Sequence, residues 1–141
     1  MSNLKEKNDF GVFELGMSKS GEINSLSKIL KPDVAIITNV SSAHLENFKN
    51  LKDIAKAKAE VINNIKLYGT LILNRDDKFY NYIAQKAKRK NIQVKSFGLN
   101  KNADLYLKNI KIGKYNYIIT ISFNKQTYSF RVKYNHNTFI Q

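Results

Sequence analysis

The first hundred residues alternate between two patterns of apolar positions. Short runs of consecutive, often β-branched apolar residues are typical of buried strands, whereas apolar residues three or four positions apart are typical of amphipathic helices. Strands are predicted over residues 9–15, 34–38, 71–73 and 92–97. Helices are predicted between Gly21 and Pro32, over residues 51–65, and after Asp77. The alternation indicates an α/β fold: a partial doubly wound, mainly parallel sheet with helices on both faces.

The pattern changes after Gly98. From residue 103 onward strand follows strand, and these strands are predicted over residues 104–112, 115–123 and 126–133. They indicate an antiparallel meander beside the main sheet. We therefore expect a partial domain over residues 1–133, with an α/β part at 9–98 and the meander at 103–133. Residues 134–141 are expected to be the remnant of a junction to a further part.

The chain is strongly basic, with 24 lysines and arginines against 11 acidic residues and a formal net charge of +13. The basic residues are spread along the chain, so a solvated surface explains most of them, while a nucleic-acid-binding module stays an alternative. The absence of cysteine excludes disulfides and thiolate metal sites. Without a run of bilayer length or a secretory leader, the expected compartment is the cytoplasm.

Two polar residues lie where predicted strands end. Glu14 closes the first strand, and His44 follows the second in a loop of small polar residues. The carboxyl ends of parallel strands meet in the crevice where such sheets bind ligands. A carboxylate suits a hard cation such as Mg²⁺, and a histidine can be a metal ligand or an acid–base group. An ordinary exposed glutamate and a loop histidine without a chemical role remain the alternatives.

Lys58 lies on the apolar side of the predicted helix 51–65. Ile54 is four residues before it and Ile62 four residues after it, so all three share one face. A lysine that faces the core is costly unless it is paired, neutral or modified. Desolvation lowers the pKa of such an amine, and a neutral amine can take up CO₂ to form a carbamate that binds a metal through oxygen. A lysine that reaches solvent from the edge of the stripe is the alternative.

Asp76 and Asp77 follow the third predicted strand. They could be metal ligands, although capping of the next helix explains them more simply. Signatures of other enzyme classes are missing: the chain contains no G-x-x-x-x-G-K-[ST] phosphate loop, no G-x-G-x-x-G, no H-E-x-x-H and no G-x-S-x-G. A self-contained nucleotidase or hydrolase therefore has little support.

Three stretches, by their order and spacing, resemble the central domain of the Mur ligases. They read ELGMSKSGEI at residues 14–23, ITNVSSAHLE at 37–46 and IAKAKAE at 54–60. The run LILNRDD at 71–77 and the β-rich tail fit as well. Folylpolyglutamate and cyanophycin synthetases share this architecture, so a ligase of that type remains an alternative.

The resemblance implies an ATP-dependent ligase of cell-wall precursor synthesis. Its substrates would be a UDP-linked muramoyl peptide and D-alanyl-D-alanine, and its cofactors would be ATP and Mg²⁺. By resemblance, Glu14 and His44 bind metal, and Lys58 is a carbamylated lysine that holds a second magnesium. His44 and Lys58 would act in catalysis, and Thr38 and Asn39 would lie beside the substrate.

The family also implies parts that this sequence does not display. These are a glycine-rich ATP loop before Glu14, a substrate domain ahead of that loop, and a C-terminal domain. His136 and Asn137 match the junction with the last of these only weakly. We therefore expect a fragment that is inactive alone and that exposes sheet edges and apolar surface.

Overall fold

The computed structural model describes residues 9–42 and 47–133. Over these residues the helices are α1 (Glu22–Leu30), α2 (Leu51–Lys58), a 3₁₀ helix (Ala59–Asn63) that directly follows α2, and α3 (Tyr80–Lys88). The strands are β1 (Val34–Ile37), β2 (Thr70–Asn74), β3 (Gln93–Gly98), β4 (Leu105–Ile112), β5 (Asn116–Phe123) and β6 (Gln126–Lys133). None of the helices in these two ranges has the length and apolar character that crossing a bilayer requires.

The strands form one six-stranded sheet in the order β1-β2-β3-β4-β5-β6. Neighbours from β1 to β4 are parallel, and β4, β5 and β6 are antiparallel. The connections from β1 to β2 and from β2 to β3 each contain a helix, the usual crossover between parallel strands, whereas β3 and β4 are joined by a loop and pair only through Phe97–Leu105 and Gly98–Tyr106. The predicted class, a mainly parallel α/β sheet followed by an antiparallel meander, is therefore confirmed.

Residues 9–15 do not form a strand, so the prediction of a first strand there is wrong. Phe10 and Val12 are 89% and 97% exposed. A strand is stable only when a neighbour pairs with its backbone. Within the part of the chain that the structure describes, no strand pairs with the outer edge of β1. An apolar run in the sequence shows that a segment can form a strand, but it does not show whether a partner is present.

The core lies between the sheet and the helices, on one face of the sheet. Leu71 and Leu73 of β2 are buried there. Ile54 of α2, Ile62 of the 3₁₀ helix and Ile83 of α3 belong to the same buried cluster. Burying one such side chain contributes roughly 1.5–3 kcal/mol, so this cluster is the main support of the fold.

The opposite face of the sheet has no helix in the described ranges. Val34 and Ile36 of β1 point to that face and are 53% and 60% exposed. The 3₁₀ helix contacts α1, α2 and α3, so the helices form a single layer. The expectation of helices on both faces is therefore not met by the described residues. Because neighbouring parallel strands follow one another in the sequence, successive right-handed crossovers place their helices on the same side.

The three meander strands separate apolar from basic side chains. Phe97 of β3 pairs with Leu105 of β4, and paired residues share a face, so the apolar side of the meander continues the uncovered face of the sheet. That side carries Leu105, Leu107, Ile110, Ile112, Tyr117, Ile119, Ile121, Phe123, Tyr128, Phe130 and Val132. The other side carries the basic residues Lys108, Lys111, Arg131 and Lys133, together with Tyr106 and Ile118. If the chain were a nucleic-acid-binding module, this basic side would be the surface that binds. The exposed apolar side agrees with the expectation that the chain exposes apolar surface.

The position of the core predicts which substitutions destabilise the fold. Leu71→Ala should lower the free energy of unfolding by about 2–5 kcal/mol, because Leu71 is fully buried and truncation leaves a cavity. Ile112→Ala, at a residue that is 79% exposed, should change it by less than about 0.5 kcal/mol. Urea unfolding of the two variants measures both values, and equal losses would contradict this placement of the core.

Candidate functional site

Glu14 lies in an extended approach to α1 that is anchored by its neighbours. Leu15 packs against the core and Met17 is buried in it, while Glu14 and Gly16 are exposed. The side chains thus alternate between core and solvent even though the segment pairs with no strand. The two anchors fix the backbone around Glu14 and leave its carboxylate in solvent.

An open cleft lies between this segment and the start of α1. It is lined by Glu14, residues 16–22, Ser25 and Leu26. None of the described residues forms a hydrogen bond or an ion pair with the Glu14 carboxylate. Neither of its oxygens is therefore occupied by a described residue, and carboxylate oxygens are the donors that Mg²⁺ prefers.

Glu22 closes the near end of the cleft. Its Oε2 accepts hydrogen bonds from the N–H groups of Ser18, at 2.6 Å, and Lys19, at 3.1 Å. A glutamate in the first turn that reaches back to preceding N–H groups is a common device at helix starts. These N–H groups, that of Ser18 first, hold the pKa of the Glu22 carboxyl below its usual range.

Glu60 supplies the cap of α1 from a distant part of the chain. The N-cap residue, Gly21, has a left-handed backbone and no side chain with which to accept a hydrogen bond. Instead, the Glu60 carboxylate accepts from Ser20 Oγ at 2.8 Å, from the Gly21 N–H at 2.8 and 3.0 Å, and from the Asn24 N–H at 3.2 Å. A side-chain cap of this kind stabilises a helix by about 1 kcal/mol.

A second group of hydrogen bonds continues the contact between α1 and the 3₁₀ helix. The Asn64 amide donates to the carbonyl oxygen of Asn24 at 3.0 Å and to Ser27 Oγ at 2.9 Å. The Asn63 amide donates to Asn24 Oδ1 at 3.2 Å. This polar contact joins the two elements further from the cleft than the Glu60 cap does.

Lys58 is the last residue of α2 and is half-buried, whereas Lys52 and Lys56 of the same helix are exposed. The sequence correctly separates Lys58 from these neighbours, but it overstates the burial. The α-helix ends at Lys58 and becomes a 3₁₀ helix, so the helical spacing that relates Lys58 to Ile62 does not continue. The Lys58 ammonium has no hydrogen bond or ion pair with another residue in the described ranges.

Thr38 and Asn39 directly follow β1, and both are exposed. The next residue, Val40, is buried, and its N–H donates to Asp77 Oδ2 at 2.6 Å. Asp77, which follows β2, therefore holds the start of the loop after β1. His44, the predicted ligand further along that loop, lies outside the described residues.

Asp76 and Asp77 are not the caps of α3. The N-cap of α3 is Phe79, which makes no side-chain capping bond, although Asp77 Oδ1 accepts from the Phe79 N–H just ahead of the helix at 2.7 Å. The prediction that Asp76 or Asp77 caps α3 is therefore wrong. The Asp76 carboxylate instead accepts from the N–H groups of Leu99 and Asn100, which follow β3.

Gly98 permits this contact. Its φ is +156°, and a Cβ at this position would collide with the Asp76 carboxylate. Because the carboxyls of Asp76 and Asp77 are used to hold neighbouring loops, the interpretation of either residue as a metal ligand has no support from its contacts. No group of three or more acidic or histidine side chains able to hold a metal converges within residues 9–42 and 47–133.

Residues 1–138 match the family model described as the Mur ligase middle domain. The chain belongs to the Mur ligase family. Two similar proteins are the UDP-N-acetylmuramoyl-tripeptide–D-alanyl-D-alanine ligases of Buchnera aphidicola and Bacillus subtilis. The first is 38% identical over 77% of this chain and 24% of that ligase. The second is 31% identical over 95% of this chain and 28% of that ligase.

A solved Mur ligase structure is similar as well. A crystal structure of MurF from Acinetobacter baumannii superposes with a TM-score of 0.83 and 29% sequence identity, over 93% of this chain and 28% of that chain. The chain therefore spans about a quarter of the length of these Mur ligases. The resemblance in three short stretches is thus confirmed at the level of the family and its fold.

Glu60 is the residue that sequence reasoning misses. Its partners lie 36 to 40 residues away, and two of them are backbone N–H groups. Backbone donors are present at every residue except proline, so a sequence pattern cannot show which of them a carboxylate will contact. The one available signal was Gly21, a helix start without a capping side chain, which implies that an acceptor must come from elsewhere.

The contacts of Glu22 predict a specific titration. The pKa of the Glu22 carboxyl in the folded chain lies below its unfolded value of about 4.3. The two hydrogen bonds therefore stabilise the cleft wall fully above the unfolded pKa, and this stabilisation is lost as the pH falls through the folded pKa. Side-chain carboxyl NMR over about pH 2 to 6 should place the Glu22 midpoint below the usual glutamate value. Glu22→Gln should speed amide exchange at Ser18 and Lys19, and a midpoint at or above the usual value would contradict these contacts.

Proposed function

We propose that this chain is the metal-binding middle part of an ATP-dependent ligase. The ligase would join D-alanyl-D-alanine to a UDP-linked muramoyl tripeptide, in the cytoplasm. The observation that carries the proposal is the similarity, at 38% and 31% identity, to two ligases that bear the name of this reaction. The exposed Glu14 carboxylate, which lines an open cleft, is geometric support for the same proposal.

The proposed reaction has two steps. The tripeptide carboxylate takes the terminal phosphoryl group of ATP, which gives an acyl phosphate and ADP. The amine of D-alanyl-D-alanine then attacks the acyl carbon, so that a peptide bond forms and phosphate leaves. Such a reaction depends on holding the reactants in line and on neutralising charge at the transferred group.

We propose Glu14, His44 and Lys58 as the metal ligands, with Thr38 and Asn39 beside the substrate. Bound Mg²⁺ would neutralise charge on the transferring phosphoryl group and orient its oxygens. Glu14 fits this role because its side chain is exposed and no described residue forms a hydrogen bond or an ion pair with its oxygens. Thr38 and Asn39 fit theirs because they are exposed next to a buried, hydrogen-bonded anchor, Val40.

Lys58 can serve as a ligand only after modification, because an ammonium group has no lone pair to offer. Its amine nitrogen would attack CO₂, forming a carbamate and releasing a proton, which replaces a cation with an anionic oxygen donor. Half-burial and the lack of a described partner leave the amine free for this step. Lys52, exposed on the same helix, is the natural comparison.

A chimaera tests the proposed function. Residues 1–138 would replace the matching segment of the Bacillus subtilis ligase, with which this chain shares 31% identity over 134 residues. The chimaera should release phosphate from ATP only when both the UDP-linked tripeptide and D-alanyl-D-alanine are present. Lys58→Ala should lower that rate at least about tenfold, the scale of losing a group that supports a metal.

Lys52→Ala in the same chimaera is the matched control and should leave the rate unchanged. A folded chimaera that is inactive, or that prefers a glutamate acceptor, would contradict the assigned substrate. Equal losses from Lys52→Ala and Lys58→Ala would contradict the role of Lys58.

A further inference from the structure

The proposed metal site brings together two segments that are distant in sequence: the cleft wall that follows Glu14, and the end of α2 that carries Lys58. Resting on that proposed function, we propose that Glu60 is a positioning residue for the site. Its carboxylate fixes the cleft wall relative to the Lys58 end of α2.

Glu60 is placed to make this link. It is the second residue of the 3₁₀ helix and follows Lys58 by two positions, so its backbone moves with that of Lys58. Its carboxylate contacts Ser20 and Gly21, which line the same cleft as Glu14. One side chain thus connects the element of one proposed ligand with the wall beside the other.

The link depends on the carboxylate itself. Both oxygens of Glu60 accept hydrogen bonds from residues 20–24, and no lysine or arginine in the described ranges forms an ion pair with it. A glutamine would turn an NH₂ group toward N–H donors, so it could not keep the full set of contacts. Gly21, the N-cap residue of α1, has no side chain and therefore cannot replace the lost acceptor.

A purely structural role is separable from positioning, because the Asn64 contacts join the same two elements. Asn64 donates to the Asn24 carbonyl oxygen and to Ser27, neither of which lines the cleft. Asn64→Ala therefore weakens the packing of α1 on the 3₁₀ helix without touching the cleft wall. It is the matched control for Glu60→Gln.

The test is Mn²⁺ binding by the chain in bicarbonate buffer, with free Mn²⁺ measured by electron paramagnetic resonance. Glu60→Gln should weaken binding at least about tenfold, the usual effect of losing a group that orients metal ligands. It should also speed amide exchange across residues 18–24. Asn64→Ala should lower Tm but bind Mn²⁺ within about twofold of the parent chain, because the cleft wall keeps its acceptor.

Each outcome decides a separate point. If the parent binds Mn²⁺ and Glu60→Gln binds within twofold of it, Glu60 has no positioning role, and the metal site stands. If Asn64→Ala weakens binding as much as Glu60→Gln, the effect is general destabilisation and the proposal fails. If the parent does not bind Mn²⁺, the metal site fails and the role of Glu60 fails with it. Should Glu60→Gln not fold, Ser20→Ala replaces it, and unchanged Mn²⁺ binding by that variant overturns the proposal.

Discussion

The loops around the candidate site depend on side-chain carboxylates that accept hydrogen bonds from backbone N–H groups. Loop N–H groups near the core need an acceptor, because an unpaired one costs about as much as a lost hydrogen bond. Glu60 accepts from the start of α1, Asp77 from the loop after β1, and Asp76 from the loop after β3. Each contact joins segments at least 23 residues apart in sequence. The cleft beside Glu14 and the exposed pair Thr38–Asn39 therefore keep their places through acidic residues that are not themselves proposed ligands.

Much of the fold follows from local pattern. The buried strand β2 and the meander strands were predicted because period-two and consecutive apolar runs are set by neighbouring residues alone. The failures are the features that depend on a distant partner. Residues 9–15 have the composition of a strand, but no strand in the described ranges pairs with them. The described helices form one layer because the order of strands in the sheet fixes the side of each crossover.

The residues of the candidate site also fall into those that the sequence can indicate and those that depend on contacts between distant segments. The predicted end of a strand draws attention to Glu14, although residues 9–15 form no strand, and the family resemblance draws attention to Thr38 and Asn39. The apolar spacing along α2 correctly distinguishes Lys58 from its exposed neighbours. It does not predict that the α-helix ends at Lys58 and continues as a 3₁₀ helix. No local sequence pattern indicates the contacts of Glu60. Its function follows from what α1 lacks at Gly21, and only the folded chain brings the two together.

Glu14 and Lys58 are proposed to bind one divalent cation together. Paramagnetic broadening of backbone amide NMR signals by substoichiometric Mn²⁺, in bicarbonate buffer, shows which segments lie next to the ion. If the two residues share one ion, the signals of residues 14–21 and 57–60 broaden together, while those of the β4–β6 meander stay sharp. Broadening confined to one of the two segments, or spread evenly over exposed acidic residues, would contradict it.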